Sequence, residues 1–187
     1  MKKIICWLII GFGVMSVTAY NKQAVPKQSK QNASIETGAV IISEVLSNGS
    51  DYYNELILPG NPNGGADWLE LYNTTNDTIV IKANQWFITD SFLHPQKFAL
   101  PPMLLLPNMH QVIWCDGMDT TLTQIHSNFK LNKRGERLAL YYKNTNQTLT
   151  QVNSITFGSI KARQSLVRKH AHAVATKCKK PTPGYSI

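Results

Sequence analysis

The stretch Asp67-Trp68-Leu69-Glu70-Leu71-Tyr72-Asn73 alternates with a period of two and runs into a turn cluster, Asn73-Thr74-Thr75-Asn76-Asp77. Successive side chains on a β-strand point to opposite faces, so Trp68, Glu70 and Tyr72 share one face and Leu69 and Leu71 the other. Apolar bulk on both faces predicts a strand in the middle of a sheet, not at a wet edge. Upstream, Ala39-Val40-Ile41-Ile42-Ser43-Glu44-Val45-Leu46 is β-branched and nearly all apolar, and reads as a strand covering the first. Glu44 and Glu70 are therefore acidic residues inside apolar strands. Carboxylates so placed need hydrogen-bond partners and mark a structural polar network. The competing reading is an acid and base pair, which would require the two to flank a cleft.

Downstream, Asp77 to Lys82 and Gln85 to Asp90 hold period-two spacing through Ile79, Ile81, Trp86 and Ile88, which predicts a hairpin turning at Ala83-Asn84. Gln96 to Leu100 is a short strand closed by Pro101-Pro102, and His110 to Asp116 is another, ended by Gly117. Between them Met103 to Leu106 reads as irregular coil or a brief strand. Phe129-Lys130-Leu131 leads into the charged turn Asn132 to Glu136, where Gly135 can take positive φ. Arg137 to Tyr142 then alternates, with Leu138, Leu140 and Tyr142 on one face, and Thr148 to Phe157 and Gln164 to Arg168 follow as strands. No stretch combines helical period with caps. Roughly nine or ten short strands separated by turn clusters predict an all-β domain, a β-sandwich with Greek-key links.

The chain opens with Lys2 and Lys3, an apolar run from Ile4 to Val17 and the small exit residues Val17 and Ala19, the pattern of a secretory signal cut after Ala19. The run is shorter than the ~20 residues of a membrane span, so a retained anchor is the weaker alternative, and Cys6 lies too early to be a lipoprotein's acylated cysteine. Residues 1–19 are thus read as a signal peptide. Residues 20–38, rich in Lys, Gln, Asn, Ser and Pro, read as a flexible leader, and 39–187 as one domain. This predicts an exported protein, periplasmic, surface-bound or secreted, with no integral membrane span once the signal is removed. Ser47 to Ala66 is a long Asn-, Gly- and Pro-rich connection in which Tyr52, Tyr53, Leu56 and Ile57 either make contacts outward or fold back on the sandwich.

The formal charge of +8 falls to +6 without Lys2 and Lys3, because 17 Lys and Arg then face 11 Asp and Glu. A basic surface favours acidic partners in general: nucleic acid, acidic polysaccharide or phospholipid headgroups. The charge is concentrated in Lys161, Arg163, Arg168, Lys169, Lys177, Lys179 and Lys180, with His170 and His172 among them and no acidic residue from Lys161 onward. Such density can hold phosphate or sulfate by counterion release, although no aromatic residues interleave as they would in a stacking platform. A merely solvated face is the alternative. Cys115 and Cys178 are the cysteines left after signal removal, and in an oxidising compartment they either pair or leave Cys115 as a buried thiol.

Other site chemistry is sparse. There is no Gly-x-Ser-x-Gly elbow, no His-Glu-x-x-His and no Gly-rich phosphate loop, so no motif supports catalysis and no cofactor is implied. The pair His170 and His172 has the spacing of two ligands on one strand face but no third partner. Asp67 and Asp90, at strand ends, could offer oxygens to calcium but lack the regular spacing of calcium loops.

Taken in order, Val40 to Val45, Asp67 to Asn73, Trp86-Phe87-Ile88-Thr89-Asp90, Phe129-Lys130-Leu131, Gly135 to Tyr141, Val152 to Phe157 and Pro181-Thr182-Pro183-Gly184 resemble the lamin tail domain. The resemblance covers Ala39 to Gly184. It implies an immunoglobulin-like β-sandwich with no catalytic constellation, of the kind that accompanies exported bacterial nucleases, hydrolases and surface proteins. The function it implies is a non-catalytic exported binding or surface-associated module, contacting a polyanion or an envelope protein through loops and the basic C-terminal segment. The alternative is an accessory subunit that delivers nucleic acid or another polyanion to a separate exported nuclease or hydrolase.

Overall fold

A computed structural model describes residues 37–49, 66–118 and 124–184. The signal, the leader up to residue 36 and most of the Ser47 to Ala66 connection lie outside these residues. The described chain forms eleven β-strands and no helix. They are β1 (Val40–Leu46), β2 (Asp67–Asn73), β3 (Ile79–Ile81), β4 (Trp86–Thr89), β5 (Phe98–Ala99), β6 (Met103–Leu105), β7 (His110–Cys115), β8 (Gly135–Lys143), β9 (Leu149–Gly158), β10 (Ser165–Val167) and β11 (Thr176–Cys178). One antiparallel sheet has the order β11-β10-β1-β2-β7 and a second the order β5-β4-β8-β9, with β3 and β6 paired beside them. The expected all-β sandwich is the fold observed, and β2 sits inside its sheet between β1 and β7.

A bulge at Ser43 sets the phase of the first sheet. The register passes from Ile42 opposite Leu71 to Glu44 opposite Glu70, leaving Ser43 as the extra residue. Without a bulge Ile42 and Val45 would point to opposite faces; with it both enter the core beside Leu69, Leu71 and Ile113. The second sheet answers with Trp86, Ile88, Leu138, Leu140, Val152 and Phe157. Each such side chain contributes about 1.5–3 kcal/mol by leaving water. Displaced to the outer face of the first sheet are Glu44 beside Glu70, and Leu46 beside Trp68, which meets Trp114 across β7.

One expectation is corrected. Asp77 to Asp90 is not a hairpin: β3 pairs with β6, whereas β4 pairs with β5 and β8. Asn84, at φ 57, turns the chain out of one ladder and into another, so shared alternation marks two strands without making them partners. Phe129 to Leu131 runs into the charged turn outside any strand, with Phe129 and Leu131 in the core and Lys130 bridged to Asp116. Gly135 does take positive φ, at 100°, and a Cβ there would lie 2.3 Å from the Phe157 carbonyl oxygen. β11 had no counterpart among the expected strands, because Thr176-Lys177-Cys178 has no apolar alternation to signal it.

Candidate functional site

The outer face of the first sheet holds the two glutamates, both fully buried. Glu70 Oε1 accepts the Ser43 hydroxyl at 2.6 Å and lies 2.6 Å from His110 Nδ1, while Oε2 accepts the Gly184 amide at 2.7 Å. His110 stacks on Tyr72 with ring centroids 4.3 Å apart. Glu44 accepts the Ser165 hydroxyl, and the Thr182 hydroxyl at 2.9 Å and amide at 3.2 Å. Burial pushes the Glu44 carboxyl above the usual range, only partly offset by these donors. Pro181 to Gly184 therefore crosses from β11 over β10, β1 and β2 as a strap whose amides bind the carboxylates. Among the described residues the two carboxylates are met by Ser43, His110, Ser165, Thr182 and Gly184, the hydrogen-bonded network that buried carboxylates need.

The basic segment folds as the hairpin β10–β11 at the edge of this sheet, with Ser165 opposite Cys178, Leu166 opposite Lys177 and Val167 opposite Thr176. Lys161, Arg163, Lys169, Lys177, Lys179 and Lys180 are exposed, as are His170 and His172. The sequence's last acidic residue is Glu136, and the nearest carboxylates by strand position, Glu44 and Glu70, are buried beneath the strap. A cavity of about 390 Å³ opens on the hairpin, lined by Val167, Lys169, His170, Val174, Lys177 and Cys178 among others.

Arg168 does not belong to this surface. It is 7 % exposed and turned inward, where its guanidinium donates to the Ile42 carbonyl at 3.0 Å, the Ser154 carbonyl at 2.9 Å and the Asn153 amide oxygen. Asn153 also accepts the Ile42 amide at 3.1 Å. Arg168 thus pins the hairpin and the β1 bulge of one sheet to β9 of the other. Sequence reasoning placed it among the surface cations because charge runs are read without regard to strand phase. Burial lowers its guanidinium pKa, although the group stays charged.

No model of a known protein family matches the chain, and no curated protein is significantly similar to it. Function has to be argued from the geometry.

The cysteine bridge is not made. Cys115, in β7, is buried and Cys178, in β11, is half-buried, and both are free. They occupy opposite edges of a five-stranded sheet. Four strand spacings separate them by roughly 19 Å, where a disulfide needs Cα atoms within about 7 Å. Asp67 and Asp90 do not converge on a cation either: Asp90 binds Lys97 at 2.6 Å, Asp67 accepts the Gly49 amide at 3.1 Å, and no group of three metal-ligating side chains occurs among the described residues. His170 and His172 likewise gain no third ligand among them.

Asp67 instead lines a separate cleft of about 280 Å³, with Ser47, Asp116, Lys130 and Lys133. Burial raises its carboxyl from 3.8 to about 6, against the opposing pull of the Gly49 amide and the two lysines. The folded protein therefore holds this proton more tightly than the unfolded chain does. That contribution to stability is fully present below about pH 4 and is lost as pH rises through about 6. Asp67→Asn stays neutral throughout, so its melting temperature relative to the parent should increase between about pH 4 and pH 7. An identical difference at both ends would show that Asp67 titrates normally.

Proposed function

We propose that this chain is a non-catalytic exported binding module that holds polyanions on the β10–β11 hairpin, with the sandwich, resembling a lamin tail domain, as its scaffold. The observation that carries this reading is the run of six exposed Lys and Arg side chains on the β10–β11 hairpin and its flanks, with no acidic residue in that stretch of sequence. No acidic residue interrupts the run in sequence, and a phosphate- or sulfate-bearing polymer bound there gains the entropy of the counterions it releases. The removal of Arg168 from the contact set sharpens the reading, because the inward cation organises the hairpin that presents the outward ones.

Affinity for heparin or duplex DNA should fall steeply with salt. Replacing Lys169, Lys177, Lys179 and Lys180 with Gln should reduce the salt slope on DNA by up to about four. The melting temperature should hardly move, since exposed charges contribute little to folding. Isothermal titration across a salt series measures affinity and slope, thermal unfolding the melting temperature, and a variant with the parent's affinity and slope removes the hairpin as the site.

A further inference from the structure

The cleft beside Asp67 holds polar groups that the sandwich leaves unused. Ser47 follows β1, Asp67 opens β2, Cys115 closes β7, and Lys130, Leu131 and Lys133 come from the segment before β8. Asp67 stands opposite Cys115 in the ladder, so the cleft lies at one end of the first sheet, and it shares no lining residue with the cavity on the β10–β11 hairpin. Asp67 Oδ1 accepts the Gly49 amide at 3.1 Å, while Oδ2 has no hydrogen-bond partner among the described residues. Ser47 is 1 % exposed, and its hydroxyl has no partner among them either. Lys130 and Lys133 are near enough to pull on the Asp67 carboxyl, yet neither forms an ion pair among the described residues. Asp116, on the same wall, is satisfied: Oδ1 accepts the Met118 amide at 3.0 Å and Oδ2 lies 2.9 Å from His126 Nδ1.

A buried hydroxyl without a partner forfeits the hydrogen bonds it had in water, so its place in an open cleft calls for an occupant. That occupant has to offer a donor to Asp67, acceptors to Lys130 and Lys133, and apolar surface to Ala66 and Leu131. A bare cation would meet the two lysines, and a bare anion the carboxylates of Asp67 and Asp116. From the unused carboxylate oxygen, the unpartnered hydroxyl and the two unpaired ammonium groups, we infer that the cleft binds a small zwitterion of the amino-acid type, with its ammonium on Asp67 and Ser47 and its carboxylate on the lysines. The volume of about 280 Å³ suits this class, being just below the ~300–1,000 Å³ of sites for larger ligands.

Leucine, leucinamide and 4-methylpentanoate share one apolar side chain and carry respectively both charges, the ammonium alone and the carboxylate alone. Titrated against the chain by NMR, leucine should bind about tenfold or more tightly than either analogue, because each analogue leaves a charged group of the cleft unpaired. Asp67→Asn should reduce leucine to the affinity of 4-methylpentanoate, and Lys130→Met with Lys133→Met should reduce it to that of leucinamide. The ammonium requires Asp67 ionised, and burial raises that carboxyl to about 6, with Lys130, Lys133, Cys115, Asp116 and Glu136 the other titratable groups around it. Leucine affinity should therefore increase about tenfold from about pH 5 to about pH 7, and stay flat over that range in Asp67→Asn. If the parent binds none of the three compounds, or binds either analogue as tightly as leucine, the zwitterion site is wrong. Variants that still fold, by their melting curves, and keep the parent's discrimination would overturn it equally.

Discussion

Arg168→Met should lower the unfolding free energy by about 3–5 kcal/mol, because several buried acceptors lose a charged donor at about 1–3 kcal/mol each. Four oxygens accept from this guanidinium, those of Ile42, Ser154 and Asn153, which come from both sheets, and that of Ala171 at 3.4 Å. Methionine fills similar volume but donates nothing, so the acceptors stay buried and lose their charged donor. Arg168→Lys keeps the charge yet cannot present the planar fork that reaches several carbonyls at once, and should recover only part of the loss. Urea unfolding measures both variants. A change within about 0.5 kcal/mol for methionine is what a solvated surface arginine would give, and would mean that Arg168 is not the pin between the sheets.

Trp68→Ala should cost a similar amount, about 3–5 kcal/mol, by a different route. The indole is fully buried on the outer face of the first sheet, packed with Leu46 and Trp114 and flanked by Ala66 and Val112. Truncation leaves a void that a sheet, held by ladders on both sides, cannot collapse to fill. Against a total stability of about 5–15 kcal/mol, such a loss brings the domain near unfolding at body temperature. Trp68→Phe retains a ring and should lose less. A truncated protein as stable as the parent would show that this face does not depend on its tryptophans.

The strands were legible where alternation is strong. Asp67 to Asn73 has the bounds its pattern gives, and the apolar run of β1 could be read apart from its bulge. The bulge was not legible, because an unbroken run such as Val40-Ile41-Ile42-Ser43-Glu44-Val45-Leu46 carries no phase of its own; its phase is imposed by Leu69 and Leu71 across the ladder. Strand partners were less legible still, since Ile79 and Trp86 share a pattern and end in different sheets. The cationic character of the hairpin was plain in composition. Which of its members faces inward was not, for the acceptors that claim Arg168 are backbone carbonyls on β1 and β9, and every sequence supplies carbonyls.

The carboxylates beneath the strap also fix an order of events in time. Glu44 finds its donors at Ser165 and Thr182, 121 and 138 positions further along the chain. At a synthesis rate of about 5–20 residues per second, β1 waits on the order of ten seconds before its charge can be buried. Until then Glu44, on the face opposite Val40, Ile42 and Val45, lacks both of these donors. The outer face of β1 is thus completed only by residues made 121 to 138 positions later.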